Sequence, residues 1–165
     1  MPEEGIDWTP REDILTYEEI VRLTQIFASL GITKVRLTGG EPTVRKGIVE
    51  LVESINAIPQ IEKVLLTTNG TTLRKLGDPL KQVGVSGLNI SLDTLDPIRF
   101  KEMTRRDDFD NVWDGIQHAL ELGFDPLKIN VVAIQGVNDD ELLDFVALTK
   151  EWPVNVRFIE FMPFD

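Results

Sequence analysis

Val35-Arg36-Leu37-Thr38-Gly39-Gly40-Glu41-Pro42 reads as a strand that runs into a turn. Side chains alternate along a strand, so Val35 and Leu37 share one side and Arg36 and Thr38 the other. Gly39 and Gly40 lack a Cβ, which lets the backbone take unusual dihedrals and approach a ligand closely. Pro42 has no N–H and cannot continue a ladder. Glu41 then stands at the C-terminal mouth of the strand, where a carboxylate can pair with a ligand ammonium. Alone, a Gly-Gly pair is more simply a tight turn with a solvated glutamate. The rest of the chain shifts the balance, because it repeats the design strand after strand.

Residues 1–15 are acidic, hold Pro2, Gly5 and Pro10, and show no period, so a loop is expected there. Thr16 followed by Glu19 has the spacing of a capping box and opens a helix. Ile20, Leu23, Ile26, Phe27 and Leu30 form its apolar stripe and Gly31 stops it. Lys34–Thr38 is the first strand. A helix follows from Lys46 to Ala57, with Ile48, Leu51, Val52 and Ile55 on one face. Lys63–Asn69 is a strand, and Leu73–Val83 a helix with a candidate break at Gly77-Asp78-Pro79. Leu88–Asp93 is the third strand. Pro97–Met103 forms a short helix, and Thr104–Asp108 reads as a solvated charged loop. Asn111–Leu122 is a longer helix closed by Gly123. Lys128–Ile134, a helix over Asp140–Lys150 and a strand over Asn155–Phe161 complete the chain.

Alternating strands and helices imply parallel strands joined by helical crossovers. Parallel strands are usually apolar on both faces, and these are not. Arg36 and Thr38 share a face. So do Thr67 and Asn69; Asn89, Ser91 and Asp93; and Lys128 and Asn130. The opposite faces carry Val64, Leu66 and Thr68; Leu88, Ile90 and Leu92; and Ile129 and Val131. The apolar face packs on helices and the polar face looks into a cavity or into water. A curved, barrel-like sheet with a polar lumen explains this better than an open wet sheet. Its site lies at the C-terminal ends of the strands, as in (β/α) barrels. Arg36 and Lys128 suit an anion such as a phosphate. Glu41 and Asp93 suit an ammonium or ribose hydroxyls.

The 165 residues are 42% hydrophobic and 27% charged, the composition of an ordinary globular domain of one-domain length. A formal net charge of -11 argues against non-specific nucleic-acid binding, which needs a basic footprint. No apolar run reaches membrane-spanning length. There is no cysteine, so this stretch offers no disulfide, thiol nucleophile, zinc–thiolate site or iron–sulfur ligand. With one histidine, His118, a histidine-based metal site is not expected either. His118 lies in a helix and reads as a packing or surface residue.

Leu37-Thr38-Gly39-Gly40-Glu41-Pro42 resembles the Gly-Gly-Glu-Pro motif of radical S-adenosylmethionine enzymes. Four further segments narrow the resemblance: Leu66-Thr67-Thr68-Asn69-Gly70, Asn89-Ile90-Ser91-Leu92-Asp93, Lys128-Ile129-Asn130-Val131-Val132 and Arg157-Phe158-Ile159-Glu160-Phe161-Met162. Together they look like the GTP 3',8-cyclases of molybdenum cofactor biosynthesis, and the match runs essentially end to end. The resemblance implies a partial (β/α) TIM-like barrel of the radical SAM type. It implies that residues 1–165 form a single, incomplete core domain that lacks the first strand.

In that family a reduced 4Fe–4S cluster cleaves S-adenosylmethionine. The resulting radical starts the cyclisation of GTP to the pterin precursor, and a second C-terminal cluster helps bind the purine. Carried over motif by motif, Gly40, Ser91 and Met162 are expected to contact S-adenosylmethionine, with Gly39 and Glu41 as further candidates. Arg36, Thr67 and Lys128 are expected to contact GTP. A homodimer is implied too, in bacterial cytoplasm or the mitochondrial matrix. The family's Cys-x3-Cys-x2-Cys precedes a Met-Pro segment, whereas this sequence begins at Met1-Pro2. Both sets of cluster cysteines are therefore expected to lie outside it. No catalytic or metal-ligating residue is assigned in the chain. The expectation is a cyclase core inactive by itself, with a non-catalytic nucleotide-binding fragment or a partner of the full enzyme as the alternative. Glu160 is left between orienting a ligand and pairing with Arg157.

Overall fold

The structure is a computed structural model that describes residue 10 and residues 13–162. The expected loop before residue 13 and the chain beyond Met162 lie largely outside the described residues. Helix α1 (Tyr17–Ser29) opens with the capping box: the Glu19 N–H donates to Thr16 Oγ1 at 3.2 Å and the Thr16 N–H to Glu19 Oε2 at 2.7 Å. Then follow β1 (Lys34–Leu37), α2 (Ile48–Asn56), β2 (Lys63–Thr68), α3 (Leu73–Gln82) and β3 (Val85–Ser91). The chain continues through α4 (Pro97–Thr104), α5 (Phe109–Glu121), β4 (Leu127–Ala133), α6 (Leu142–Glu151) and β5 (Asn155–Glu160). All strand pairs are parallel and the order is β1-β2-β3-β4-β5. Strands laid down in sequence order, with a helical crossover between each and the next, wind a sheet in one direction, as a barrel does.

One face of the sheet is the core. Val64, Leu66, Leu88, Ile90, Ile129 and Val131 are buried there against Leu51, Val52 and Ile55 of α2, Leu73 and Leu80 of α3, Ile116 of α5 and Phe145 of α6. Gly87 keeps β3 close to the segment before β4, since a Cβ there would stand 2.4 Å from the Pro126 carbonyl oxygen. No described helix is long and apolar enough to cross a membrane.

Several local expectations give way to packing. α3 runs unbroken through Gly77 and Pro79. The carbonyl that Pro79 leaves without a helical donor belongs to exposed Lys75, where water can serve it. Gly77 lets α5 approach, with His118 and Leu122 side-chain atoms 3.1 and 3.0 Å from where a Cβ would lie. β3 begins at Val85, earlier than Leu88, and α6 is preceded by a 3-10 turn over Asp139–Glu141. α1 seats only part of its apolar stripe, with Ile20 packed against the core. It buries Thr24 and Ala28, while Leu23, Ile26, Phe27 and Leu30 stay exposed, Phe27 at 53%.

Candidate functional site

The second face of the sheet is built from the alternate residues. Register places Arg36 beside Leu65, and Leu65 beside Gly87. The next row is Thr67, Asn89, Lys128 and Asn155. Toward the strand ends the following row holds Ser91, Asn130 and Arg157. Neighbouring strands lie about 4.8 Å apart, so each row is a ladder of side chains at that spacing. Arg36, Thr67, Ser91 and Lys128, singled out from sequence, therefore share one face. Leu65 interrupts the expected polar column: it is buried at 5% exposure on this face and gives it an apolar floor.

Lys34, Arg36, Lys63, Lys128 and Arg157 all fall on this face by alternation. Among the described residues none of the five forms an ion pair. A chain of net charge -11 thus gathers unpaired cations where its sheet is polar, an arrangement suited to an anionic ligand. Asn89, Asn130 and Arg157 had no assigned role from sequence, although the same alternation that placed Lys128 places them. Arg157 does not pair with Glu160, because residues three apart on a strand point to opposite faces.

Glu41, a candidate ligand contact from sequence, is held by the protein's own donors. Its Oε1 accepts hydrogen bonds from the Thr43 N–H at 3.1 Å, Thr43 Oγ1 at 2.6 Å and Thr68 Oγ1 at 2.7 Å. Its Oε2 accepts from the Asn69 N–H at 2.6 Å. The carboxylate is a brace between the turn after β1 and the end of β2. Thr72 Oγ1 extends the brace by bonding Thr43 Oγ1 at 2.7 Å. This clamp fixes the Gly39-Gly40 turn at the mouth. Gly39 has a φ of +148°, which disfavours a side chain, and a Cβ on Gly40 would meet nothing within 4 Å. The protein itself does not need Gly40 bare. Its open backbone leaves room for the close approach of a ligand.

Asp93 lies beyond Ser91 on the same face, and its Oδ1 accepts from the Val132 N–H at 2.8 Å. Burial pushes its carboxyl above the ordinary aspartate value, partly offset by that hydrogen bond. Fully buried Asn138 ties the same strand ends together. Its Nδ2 donates to the carbonyls of Asp93 at 2.6 Å and Val132 at 2.8 Å, and its Oδ1 accepts from the Ile134 N–H at 2.7 Å. Behind it Glu141, 8% exposed, accepts from Thr94 Oγ1, the Leu95 N–H and Arg99. Met162 is 67% exposed just past β5, at the same ends of the strands. His118 is away from this face: its Nε2 meets Asp78 at 2.7 Å between α3 and α5. Among the described residues no three His, Cys, Asp or Glu side chains cluster to hold a metal ion.

Residues 4–149 match the family described as the Radical SAM superfamily. The chain is 52% identical over 165 residues to a mitochondrial GTP 3',8-cyclase of Arabidopsis thaliana, covering 100% of this chain and 42% of that one. It is 52% identical over 163 residues to a GTP 3',8-cyclase of Alkaliphilus metalliredigens, covering 99% of this chain and 51% of that one. Molybdenum cofactor biosynthesis protein 1 of Mus musculus is 50% identical, with 100% of this chain and 26% of that protein covered. The chain thus spans about a quarter to about half of the length of these relatives. Among solved structures, methylornithine synthase superposes with a TM-score of 0.67 at 21% identity, covering 90% of this chain and 45% of that one. Coproporphyrinogen III oxidase of Escherichia coli gives 0.66 at 15% identity, covering 90% and 37%. Both likenesses concern the fold.

Proposed function

This chain belongs to the radical SAM superfamily, and we propose that it is the central part of the barrel of a GTP 3',8-cyclase, one core domain over residues 1–165. The observation that carries the proposal is the joint occurrence of about 50% identity to such cyclases along the whole chain and an unpaired cationic face on this chain's own sheet. In this reading Arg36 and Lys128 bind the triphosphate of GTP by charge-assisted hydrogen bonds, and Thr67 orients the nucleotide between them. S-adenosylmethionine lies across the mouth against the bare backbone of Gly39 and Gly40, the exposed hydroxyl of Ser91 and Met162. Glu41 holds that mouth in shape without touching the ligand.

When bound with a reduced cluster, the cofactor supplies the adenosyl radical that begins the cyclisation. The donor set here fits S-adenosylmethionine and does not fit the cluster, because the sequence has no cysteine thiolate. This chain alone therefore binds and orients but does not turn over. Anaerobic reconstitution with iron and sulfide, followed by assay for 5'-deoxyadenosine and cyclised GTP, tests this. No product is expected from this chain alone, and turnover by it would overturn the reading.

The intact cationic face also favours a second reading, a nucleotide-binding fragment with no chemistry of its own, which includes a truncated form that associates with the complete enzyme. Pull-down with a complete cyclase separates these two uses.

A further inference from the structure

The pairing of β3 with β4 stops where Ser91 stands beside Asn130, and the last backbone rung runs from the Leu92 N–H to the Asn130 carbonyl at 3.0 Å. β4 goes on pairing with β5 as far as Ala133. It is therefore β3 that parts from its neighbour at the mouth, and side chains join the two strands from there on. The Val132 N–H goes to Asp93 Oδ1 at 2.8 Å and not to a β3 carbonyl. Asn138 bridges the gap itself: its Nδ2 donates to the Asp93 carbonyl at 2.6 Å and to the Val132 carbonyl at 2.8 Å. One amide between two carbonyls takes the place of a rung and sets how far the strand ends stand apart. Asn138 is fixed in turn by Ile134, whose N–H donates to Oδ1 at 2.7 Å and whose carbonyl accepts the Asn138 N–H at 3.2 Å. Three residues on, Glu141 ties down the segment after Asp93 by accepting from Thr94 Oγ1 at 2.8 Å and the Leu95 N–H at 2.7 Å.

We infer that Asn138 is a positioning residue for the cofactor half of the mouth, resting on the reading of the site given above. A continued ladder would satisfy the same backbone groups without burying a side-chain amide, and Asn138 is fully buried. Joining the strands is thus not what the amide adds. It adds a fixed parting of their ends, and that parting places Ser91, the last residue of β3, and Asp93 just beyond it. Arg36 and Thr67 belong to β1 and β2, and Lys128 lies inside the intact ladder beside Asn89. Asn138 therefore acts on the contact that Ser91 makes with S-adenosylmethionine and leaves the phosphate contacts of GTP alone. It touches neither ligand.

The test compares Asn138→Ala with a control of similar cost to the fold, Ile55→Ala. Ile55 is fully buried near the end of α2, and α2 runs from the mouth toward the start of β2, so this truncation is remote from the site. Both variants should melt below wild type. Calorimetric titration with S-adenosylmethionine and with GTP is then made at a temperature where all three proteins are folded. Asn138→Ala is expected to weaken S-adenosylmethionine about tenfold and to keep GTP within about twofold of wild type. Ile55→Ala should bind both ligands as wild type does. Where Asn138→Ala does not fold, Asn138→Ser, whose hydroxyl keeps one donor, is compared with Ile55→Val in the same way. If the Asn138 variant binds S-adenosylmethionine as tightly as wild type, or loses both ligands together, the residue serves the fold alone; the inference then fails while the reading of the site stands. If wild type itself does not bind S-adenosylmethionine, that reading fails and the inference falls with it.

Discussion

Replacing Glu41 by alanine distinguishes a brace from a ligand contact. The carboxylate accepts from two backbone N–H groups, of Thr43 and Asn69, and from the hydroxyls of Thr43 and Thr68. Thr43 and Thr68 are 6% and 2% exposed, so their groups cannot simply turn to water. The Thr68 hydroxyl also accepts from the Gly70 N–H at 3.1 Å, which limits how far it can rotate to a new partner. Hydrogen bonds to a charged group contribute about 1.5–3 kcal/mol each, and contributions within one cluster are not additive. Losing the set should cost about 3–5 kcal/mol, a large share of the ~5–15 kcal/mol that holds a domain together. Glu41→Gln keeps one acceptor oxygen but sets an NH2 against the remaining donors, and about 1–3 kcal/mol is expected. Urea denaturation of the three proteins measures both. If Glu41→Ala stayed within about 0.5 kcal/mol of wild type, as an ordinary surface change does, the brace would be wrong and the carboxylate free for a ligand.

Asn138→Ala should cost about 3–5 kcal/mol by the same assay, since it removes three buried hydrogen bonds joining the ends of β3 and β4. Asp93 is an acid whose folded pKa is raised, so its ionisation opposes folding. That cost is absent below the unfolded value of 3.8, grows as pH rises through the higher folded pKa, and is constant above it. Asp93→Asn should therefore stabilise the chain at pH 7, with the gain shrinking toward pH 4; denaturation curves across that range check the sign. Phe27, Leu30 and Ile32 are exposed beside edge strand β1 and invite self-association. Phe27→Asp should shift sedimentation toward monomer, and unchanged sedimentation would show that this face is not sticky.

The alternation of β2, β3 and β4 was enough to place Thr67, Ser91 and Lys128 on one face, because a period of two has no freedom once the apolar side is buried. The capping box at Thr16 and the apolar stripe of α2 were equally legible, being local. Non-local packing was not. The apolar stripe of α1 was legible too, but not which part of it is seated: Ile20 packs against the core beside buried Thr24 and Ala28, while Leu23, Ile26, Phe27 and Leu30 stay exposed. Glu41 looked like a free carboxylate at a mouth, because its partners Thr68 and Asn69 come from the next strand and no local pattern announces them. Pro79 looked like a helix break, and exposure of Lys75 made it tolerable.

The most direct test of the central claim is equilibrium dialysis of GTP against this chain and its Arg36→Ala/Lys128→Ala double variant, at fixed salt. Each lost charge-assisted contact should cost about 1.5–3 kcal/mol, or roughly 10–100-fold in affinity. The account predicts saturable binding by wild type and none detectable for the double variant at the same concentrations. Absence of binding by wild type at millimolar GTP, or equal binding by the two proteins, would contradict it.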